Sequence, residues 1–296
     1  MNPSFPRQPF TTGQAYALGV TRGMLRRALA DHTIRRVVRG VYVRAEIQDS
    51  QQLRLAAARL VIGASSVARD RTAAWLLDVD VMDYDELDNL PPLETCVLPD
   101  HHPTVRPECD GRTRDLLPED IVLLDDVPVT SPLRTAMDLG CNLGRRRAMA
   151  AIDAFRRKYG ITKTDMEGML PRYFRRRGVV QLRQLIPLST DEAESTGESW
   201  TRIEIVDAGL PTPKPQHWIY IDGVPTFRLE NAYPQQKVAV EYDGQEFHGP
   251  EQKEYDRLRR EWLRNHGWII IVVDKNSFTF EAICAWIAEL REALAR

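Results

Sequence analysis

The strongest constraint on this chain is the stretch from Val238 to Val273. Val238-Ala239-Val240-Glu241-Tyr242-Asp243-Gly244 reads as an apolar strand that carries two carboxylates two residues apart. Side chains in a strand alternate between faces, so Glu241 and Asp243 point the same way, opposite Val238, Val240 and Tyr242. Two like charges held side by side repel unless a cation or a proton lies between them. Oxygen ligands on a rigid edge suit a hard divalent cation, Mg²⁺ or Mn²⁺. That combination points to phosphodiester chemistry. An ordinary acidic strand surface has the same pattern, so these residues alone leave both readings open.

The neighbouring segments extend the cluster. Residues 226–232 and 237–242 flank Tyr233-Pro234-Gln235-Gln236, which reads as a hairpin loop. With those four residues as the loop, Ala232 faces Lys237, Glu230 faces Ala239 and Arg228 faces Glu241. Glu230 then joins Glu241 and Asp243 on one surface, because directly paired residues share a face. His248 follows the glycine turn. Residues 251–265 read as a helix, with Pro250 at its start, Gly267 past its end, and Tyr255, Leu258 and Trp262 on one face. Its Arg257, Arg260 and Arg264 meet either phosphate or solvent. Residues 268–273, rich in β-branched side chains, read as a buried strand.

From Ser195 onward the chain resembles the bacterial domains similar to the very short patch repair endonuclease, a branch of the PD-(D/E)XK nuclease superfamily. The landmarks are Glu194-Ser195-x-x-Glu198-Ser199, Ala208-Gly209-Leu210-Pro211-x-Pro213, Ala232-Tyr233-Pro234, Val240-Glu241-Tyr242-Asp243-Gly244, His248, Asp256-Arg257-x-x-Arg260 and Gly267-Trp268. The resemblance implies a restriction-endonuclease-like mixed sheet flanked by helices. It also implies a metal held by Glu230, Glu241 and Asp243, with His248 as general acid or base and Glu198 supporting the site from the first helix. There are two departures. Glu230 stands where the family has aspartate, and Glu241-x-Asp243 ends in a carboxylate where the superfamily has lysine. Without that lysine, water activation falls to the metal, to His248 or to another group.

The other end of the chain is basic. Residues 1–44 hold Arg7, Arg22, Arg26, Arg27, Arg35, Arg36, Arg39 and Arg44 against a single acid, Asp31, in a chain whose formal charge is only −2. Phosphate binding needs such a patch. Thr12 is placed to cap a helix ending near Leu18, Gly19 to make the turn, and Thr21 to cap a second helix through Ala30. Residues 34–43 read as a hairpin bent at Gly40. This order is that of a winged helix-turn-helix, whose second helix enters the major groove. The expected contacts to double-stranded DNA are Thr21, Arg22, Arg26, Arg27, Arg35, Arg36 and Arg39.

This segment, through Gly19-Val20-Thr21-Arg22-x-x-Leu25-Arg26-Arg27-Ala28-Leu29 and Ile34-Arg35-Arg36-Val37-x-Arg39-Gly40-Val41-Tyr42-Val43, resembles the N-terminal domain of abortive-infection type IV antitoxins. The middle continues the resemblance with Arg71-Thr72-Ala73-Ala74-Trp75-Leu76 and with Val127-Pro128-Val129-Thr130-Ser131-Pro132-x-Arg134-Thr135-Ala136-x-Asp138-Leu139. It implies promoter binding by the first domain and a part in neutralising a nucleotidyltransferase toxin for the next. In the second motif Ser131 reads as a helix cap, Pro132 as the first helical residue and Gly140 as the residue past the end, a structural arrangement to which no chemistry is assigned.

The expected fold is therefore α+β and multidomain: a winged helix-turn-helix over 1–47, an α/β middle domain over 48–188 and the nuclease-like domain over 189–296. The polar stretch Ser189–Gly197 reads as a linker. In the middle, residues 51–62, 71–77, 132–139 and 145–158 read as helices, and 94–98, 121–124 and 127–130 as strands. Arg145-Arg146-Arg147 and Arg175-Arg176-Arg177 either track a phosphate backbone or form solvated surface. Cys96, Cys109, Cys141 and Cys284 lack CxxC spacing and read as thiols. His101-His102 reads as loop. A hydrophobic content of 43% without any apolar run near eighteen residues or a signal-peptide core argues against a membrane protein and for the cytoplasm. Two function classes result: a metal-dependent DNA endonuclease in phage defence or mobile-element maintenance, or a repressor or antitoxin with a degenerate nuclease fold.

Overall fold

Polar caps and left-handed glycines set the N-terminal architecture in the computed structural model, which describes residues 5–81, 91–244 and 250–296. β1 (Phe10–Thr11) runs into α1 (Thr12–Ala17). The cap is Thr11 rather than Thr12, because Thr11 and Gln14 form a reciprocal capping box. Gly19, at φ 79°, makes the turn into α2 (Arg22–Ala30), and Thr21 caps that helix. β2 (Ile34–Val38) and β3 (Val41–Arg44) form a hairpin bent at Gly40, φ 81°, and β1 pairs with the far edge of β3. Phe10, Val20, Leu25, Ala28 and Ile34 fill the space beneath the two helices.

The chain divides into two units, Met1–Leu139 and Gly140–Arg296, where the sequence suggested boundaries after residues 47 and 188. The first unit also holds α3 (Gln51–Arg59), β4 (Val67–Ala68), α4 (Asp70–Leu76), β5 (Leu93–Val97), β6 (Cys109–Thr113), β7 (Ile121–Leu124) and β8 (Val127–Thr130). Its second sheet has the order β6-β5-β4-β8-β7. α5 (Pro132–Asn142) follows β8 and runs straight through Gly140. A Cβ on Gly140 would sit 2.6 Å from Leu182 Cδ1, so this glycine serves close packing and not helix termination.

A chain of charges, all buried except the half-buried Arg114, crosses the first unit. Arg69, Asp70, Arg114, Asp138, Arg134 and Asp120 link in that order, with Arg114 to Asp70 at 2.7 Å, Arg134 to Asp138 at 3.0 Å and Arg134 to Asp120 at 2.9 Å. Arg71 closes on Glu94 beside it, through both its backbone N–H and its side chain.

The second unit contains α6 (Arg145–Tyr159), α7 (Lys163–Met169), α8 (Val179–Leu188), α9 (Thr196–Asp207), β9 (Lys214–Ile221), β10 (Val224–Tyr233), β11 (Val238–Tyr242), α10 (Pro250–Asn265), β12 (Ile269–Val273) and α11 (Phe280–Leu294). Its sheet has the order β12-β11-β10-β9; β9, β10 and β11 are antiparallel, and β12 runs parallel to β11. Val238 and Val240 pack with Ile205, Trp286 and Leu290 on one face, and Ala239 packs with Leu263 and Trp268 on the other. The fold is thus mixed α and β, without a barrel among the described residues.

Segment 189–197 is no free linker. Thr190 N–H donates to Asp153 Oδ1 at 2.8 Å, Ser199 Oγ donates to Asp153 Oδ2 at 2.7 Å, and Arg202 pairs with the same buried carboxylate. These bonds lock α6 to α9. No helix among the described residues is long and apolar enough to cross a membrane. The four cysteines are thiols, Cys96 and Cys109 being buried.

The β10–β11 register differs by two residues from the expected one. Asn231 pairs with Val240, Ala232 with Ala239 and Tyr233 with Val238. Tyr233 stays in the strand because its ring is buried and its hydroxyl donates to Pro211 O at 2.6 Å. The turn therefore falls on Pro234–Lys237, with Lys237 at φ 53°.

Candidate functional site

Two groups of side chains stand out, one in each unit. On α2, Leu25 and Ala28 turn inward while Arg22, Arg26 and Arg27 are exposed. Arg36 and Arg39 are exposed on the hairpin. Two of the expected DNA contacts have other work. Arg35 donates to Ile47 O at 2.9 and 3.3 Å, closing the end of the hairpin onto the chain that follows it. Thr21 Oγ1 accepts the Met24 N–H at 3.2 Å as the helix cap. The hairpin tip also meets a carboxylate of its own chain, since a Cβ on Gly40 would lie 3.3 Å from Glu108 Cγ.

The carboxylates of the second unit lie on three elements. Ser195 caps α9 and places Glu198 in its first turn, 5% exposed. Glu198 Oε2 accepts from Glu194 N at 3.0 Å and from Gln216 Nε2, on β9, at 2.6 Å. Glu230, near the end of β10, accepts the Tyr242 N–H of β11 at 2.7 Å. Burial raises the Glu198 carboxyl above its usual range. Burial first, and then the Glu198 and Glu241 carboxylates, push Glu230 up to about 8 against the Tyr242 N–H and Arg259, which lower it. Glu230 therefore sits within electrostatic reach of both neighbours.

Glu241 is 5% exposed and is held by Arg259 of α10, whose nitrogens reach its two oxygens at 2.9 and 2.5 Å. Arg259 also donates to Arg228 O at 2.7 Å, tying α10 to β10. Asp243 lies 3.4 Å from Arg260 of the same helix. Glu241 and Asp243 thus both turn toward α10, the shared side that strand alternation implies. Of the arginines expected to meet phosphate, Arg257 pairs with Glu254 and Glu261 along its own helix, and Arg264 is exposed. Leu258 is 51% exposed; Leu263 is the buried anchor of that helix. His248 and the side chain of Tyr255 lie outside the described residues. The arginine runs are also partly engaged. Arg145 pairs with Asp207 and Arg146 with Glu204, while Arg175 and Arg176 lie over Phe174 and Tyr173.

The donor set is all oxygen, which is the chemistry of Mg²⁺ and Mn²⁺. Glu198 and Glu230 fit such an ion, since a divalent charge would relieve the repulsion and burial that now raise their pKa values. Glu241 does not fit as a ligand in this arrangement, because Arg259 covers both of its oxygens. Among the described residues no three His, Cys, Asp or Glu side chains are grouped to hold an ion. Gln216 and Arg259 have no role legible in the sequence, as nothing in their spacing marks them.

No family model matches the chain. The chain is 36% identical over 148 residues to the uncharacterized protein Rv2248 of Mycobacterium tuberculosis strain H37Rv, across 49% of this chain and 55% of the relative. The uncharacterized protein MT2308 of strain CDC 1551 matches to the same extent. The chain thus spans about half the length of the curated relatives it matches.

One glycine positions the carboxylates. A methyl group on Gly197 would overlap the Tyr242 ring, and Tyr242 supplies the N–H that holds Glu230. Helix propensity alone favours alanine over glycine by up to ~1 kcal/mol. Overpacking of this kind costs about 1–3 kcal/mol, and it should dominate because the obstacle is a ring packed in the core. Gly197→Ala should therefore lower the urea midpoint; a raised midpoint would show that the ring moves freely.

Proposed function

We propose that this protein is a DNA-binding nuclease that depends on a divalent cation. In this reading the helix-turn-helix and hairpin hold duplex DNA, and the carboxylates of the second unit hydrolyse phosphodiester bonds. The observation that carries the reading is that Glu230 on β10 lies within electrostatic reach of Glu198 on α9 and of Glu241 on β11. Carboxyls whose pKa values are raised by desolvation and by neighbouring charge are candidates for a site of chemistry. The element order of helix, three antiparallel strands, helix and parallel strand agrees with the resemblance to the PD-(D/E)XK nucleases.

Mg²⁺ or Mn²⁺, when bound, would polarise the scissile phosphate and lower the pKa of the attacking water. The residues of the chain prepare the site. Gln216 and the Glu194 N–H hold Glu198, the Tyr242 N–H holds Glu230, and Arg259 keeps positive charge beside Glu241. Arg260 stands next to Asp243, where it can meet developing negative charge. The proton-transfer role implied for His248 by the resemblance completes the proposal. Supercoiled plasmid should be nicked or linearised with Mg²⁺ or Mn²⁺, left intact with chelator, and left intact by Glu198→Gln. A wild type inert with both metals would sink the reading.

A second reading has its own support. Arg259 covering Glu241, together with glutamate at position 230, suits a repressor or antitoxin whose nuclease fold is degenerate and whose partner is a nucleotidyltransferase toxin. Either activity belongs in the cytoplasm, where the DNA lies. Both readings share one prediction. Replacing Arg22, Arg26 and Arg36 by alanine should weaken duplex binding at every sequence and reduce the salt slope by about 0.9 for each phosphate no longer neutralised. Deletion of residues 1–47 with no loss of duplex affinity would refute the DNA-binding assignment.

A further inference from the structure

β9 carries a feature that the carboxylate centre does not use. Trp218 and Tyr220 are 41% and 61% exposed on this edge strand, two residues apart and so on one face. Ile219, which lies between them, and Phe227, paired directly with Ile219, pack inward against the cluster that contains Trp268 and Trp262. Arg228, paired directly with Trp218, lays its guanidinium over the indole at 5.4 Å from the ring centroid. The same strand begins at the acidic centre, since Gln216 holds Glu198 there. Arg228 also pairs with Glu194, at the start of the helix that bears Glu198.

A single exposed aromatic ring on a protein surface needs no explanation. Two in register, one of them covered by an arginine and the row leading out from a phosphodiester-cleaving centre, make the arrangement used to hold unpaired nucleic acid. Ring faces stack on bases whatever their sequence, and the guanidinium adds attraction for base and phosphate. Bases paired inside a duplex cannot present their faces to such a ledge, so the occupant is a strand that has been opened or extruded. We propose that Trp218 and Tyr220, with Arg228, form a stacking ledge for unpaired nucleotides next to the cleaved phosphate. The position of that phosphate rests on the nuclease reading; the binding itself does not.

The test uses the full chain in chelator, where cleavage cannot occur, and a fluorescein-labelled oligothymidine as the probe. Trp218→Ala and Tyr220→Ala should each weaken binding by about 5- to 150-fold, the range for loss of one base–aromatic stack. Trp218→Phe should stay close to wild type, because the stacking face is retained, and duplex affinity should not change in any of the three. A readout that needs no variant is photocrosslinking of a 5-bromodeoxyuridine oligonucleotide, which should map to Trp218 or Tyr220. Alanine variants that bind the single strand as wild type does, or crosslinks confined to other elements, would overturn the ledge. A wild type that binds oligothymidine through these rings but never cleaves DNA with Mg²⁺ or Mn²⁺ upholds the ledge and defeats the nuclease reading. Cleavage by a protein whose ledge variants bind unchanged does the reverse.

Discussion

At pH 8, Glu230→Gln should be more stable than the wild type by about 3 kcal/mol, and it should cleave no DNA. The stabilisation follows from the position of the carboxyl. Burial, Glu198 and Glu241 lift Glu230 from 4.5 to about 8 in the folded protein. Between those values the folded state keeps a proton that the unfolded chain has released, so the stability of the wild type falls as pH rises through that window. Above about 8 the penalty is complete and constant; below 4.5 it is absent. Each tenfold change in proton affinity corresponds to about 1.4 kcal/mol, and partial access to solvent reduces the sum. Glutamine keeps an oxygen for the Tyr242 N–H and carries no charge, so its melting temperature should vary less across the window. Mg²⁺ should restore the wild type at pH 8, because an ion that binds only the folded state stabilises it by mass action. It should leave the glutamine variant unchanged. Parallel pH profiles for the two proteins would show that Glu230 is an ordinary solvated carboxylate.

Part of this centre can be read from the sequence, because strand alternation puts Glu241 and Asp243 on one side, against Arg259 and Arg260. The expected register sets Glu230 opposite Ala239; the observed pairs are slipped by two residues and end at Asn231 and Val240. Beyond that pair Glu230 meets β11 through its side chain, which accepts the Tyr242 N–H, so its place beside β11 comes from this bond and not from ladder pairing. The cause of the slip is also local. Tyr233-Pro234 looks like the opening of a turn, but the buried Tyr233 ring holds its residue in the strand. The glycine turns at Gly19 and Gly40 are legible for a simpler reason, as each needs a positive φ that other residues adopt with strain.

What the sequence hides depends on partners far along the chain. Segment 189–197 is polar and nearly free of apolar residues, which suggests a linker, yet Asp153 reaches it from the middle of α6. Nothing near Asp153 in sequence shows that its carboxylate is buried with Arg202. Arg259 is one arginine among several on a charged helix, and its grip on Glu241 appears only when α10 is laid against β11. β9 escapes a reading by pattern because an edge strand bearing Gln216, His217 and exposed aromatics has no apolar run.

Asp138→Ala should destabilise the first unit by about 3–5 kcal/mol, since removing one partner leaves buried charge uncompensated. Asp138 is 2% exposed and accepts from both Arg114 and Arg134. The two arginines would keep Asp70 and Asp120, but each would lose the carboxylate that joins them. A more exposed pair gives the contrast: Asp49→Ala, which leaves Arg54 its bonds to Asp78 and to Trp75 O, should cost no more than about 1 kcal/mol. Urea titration of the two variants beside the wild type separates these cases, and equal midpoints would mean that the buried chain of charges contributes nothing. The outcome also bears on the middle motifs. Arg71 is committed to Glu94, Arg134 to Asp120 and Asp138, and Thr135 to Thr130. Residues shared with the antitoxin-like pattern are therefore occupied in holding α4 to β5, and α5 to β8 and to the residue before β7. A partner that recognises this unit must read the surface these bonds support, and not the motif side chains themselves.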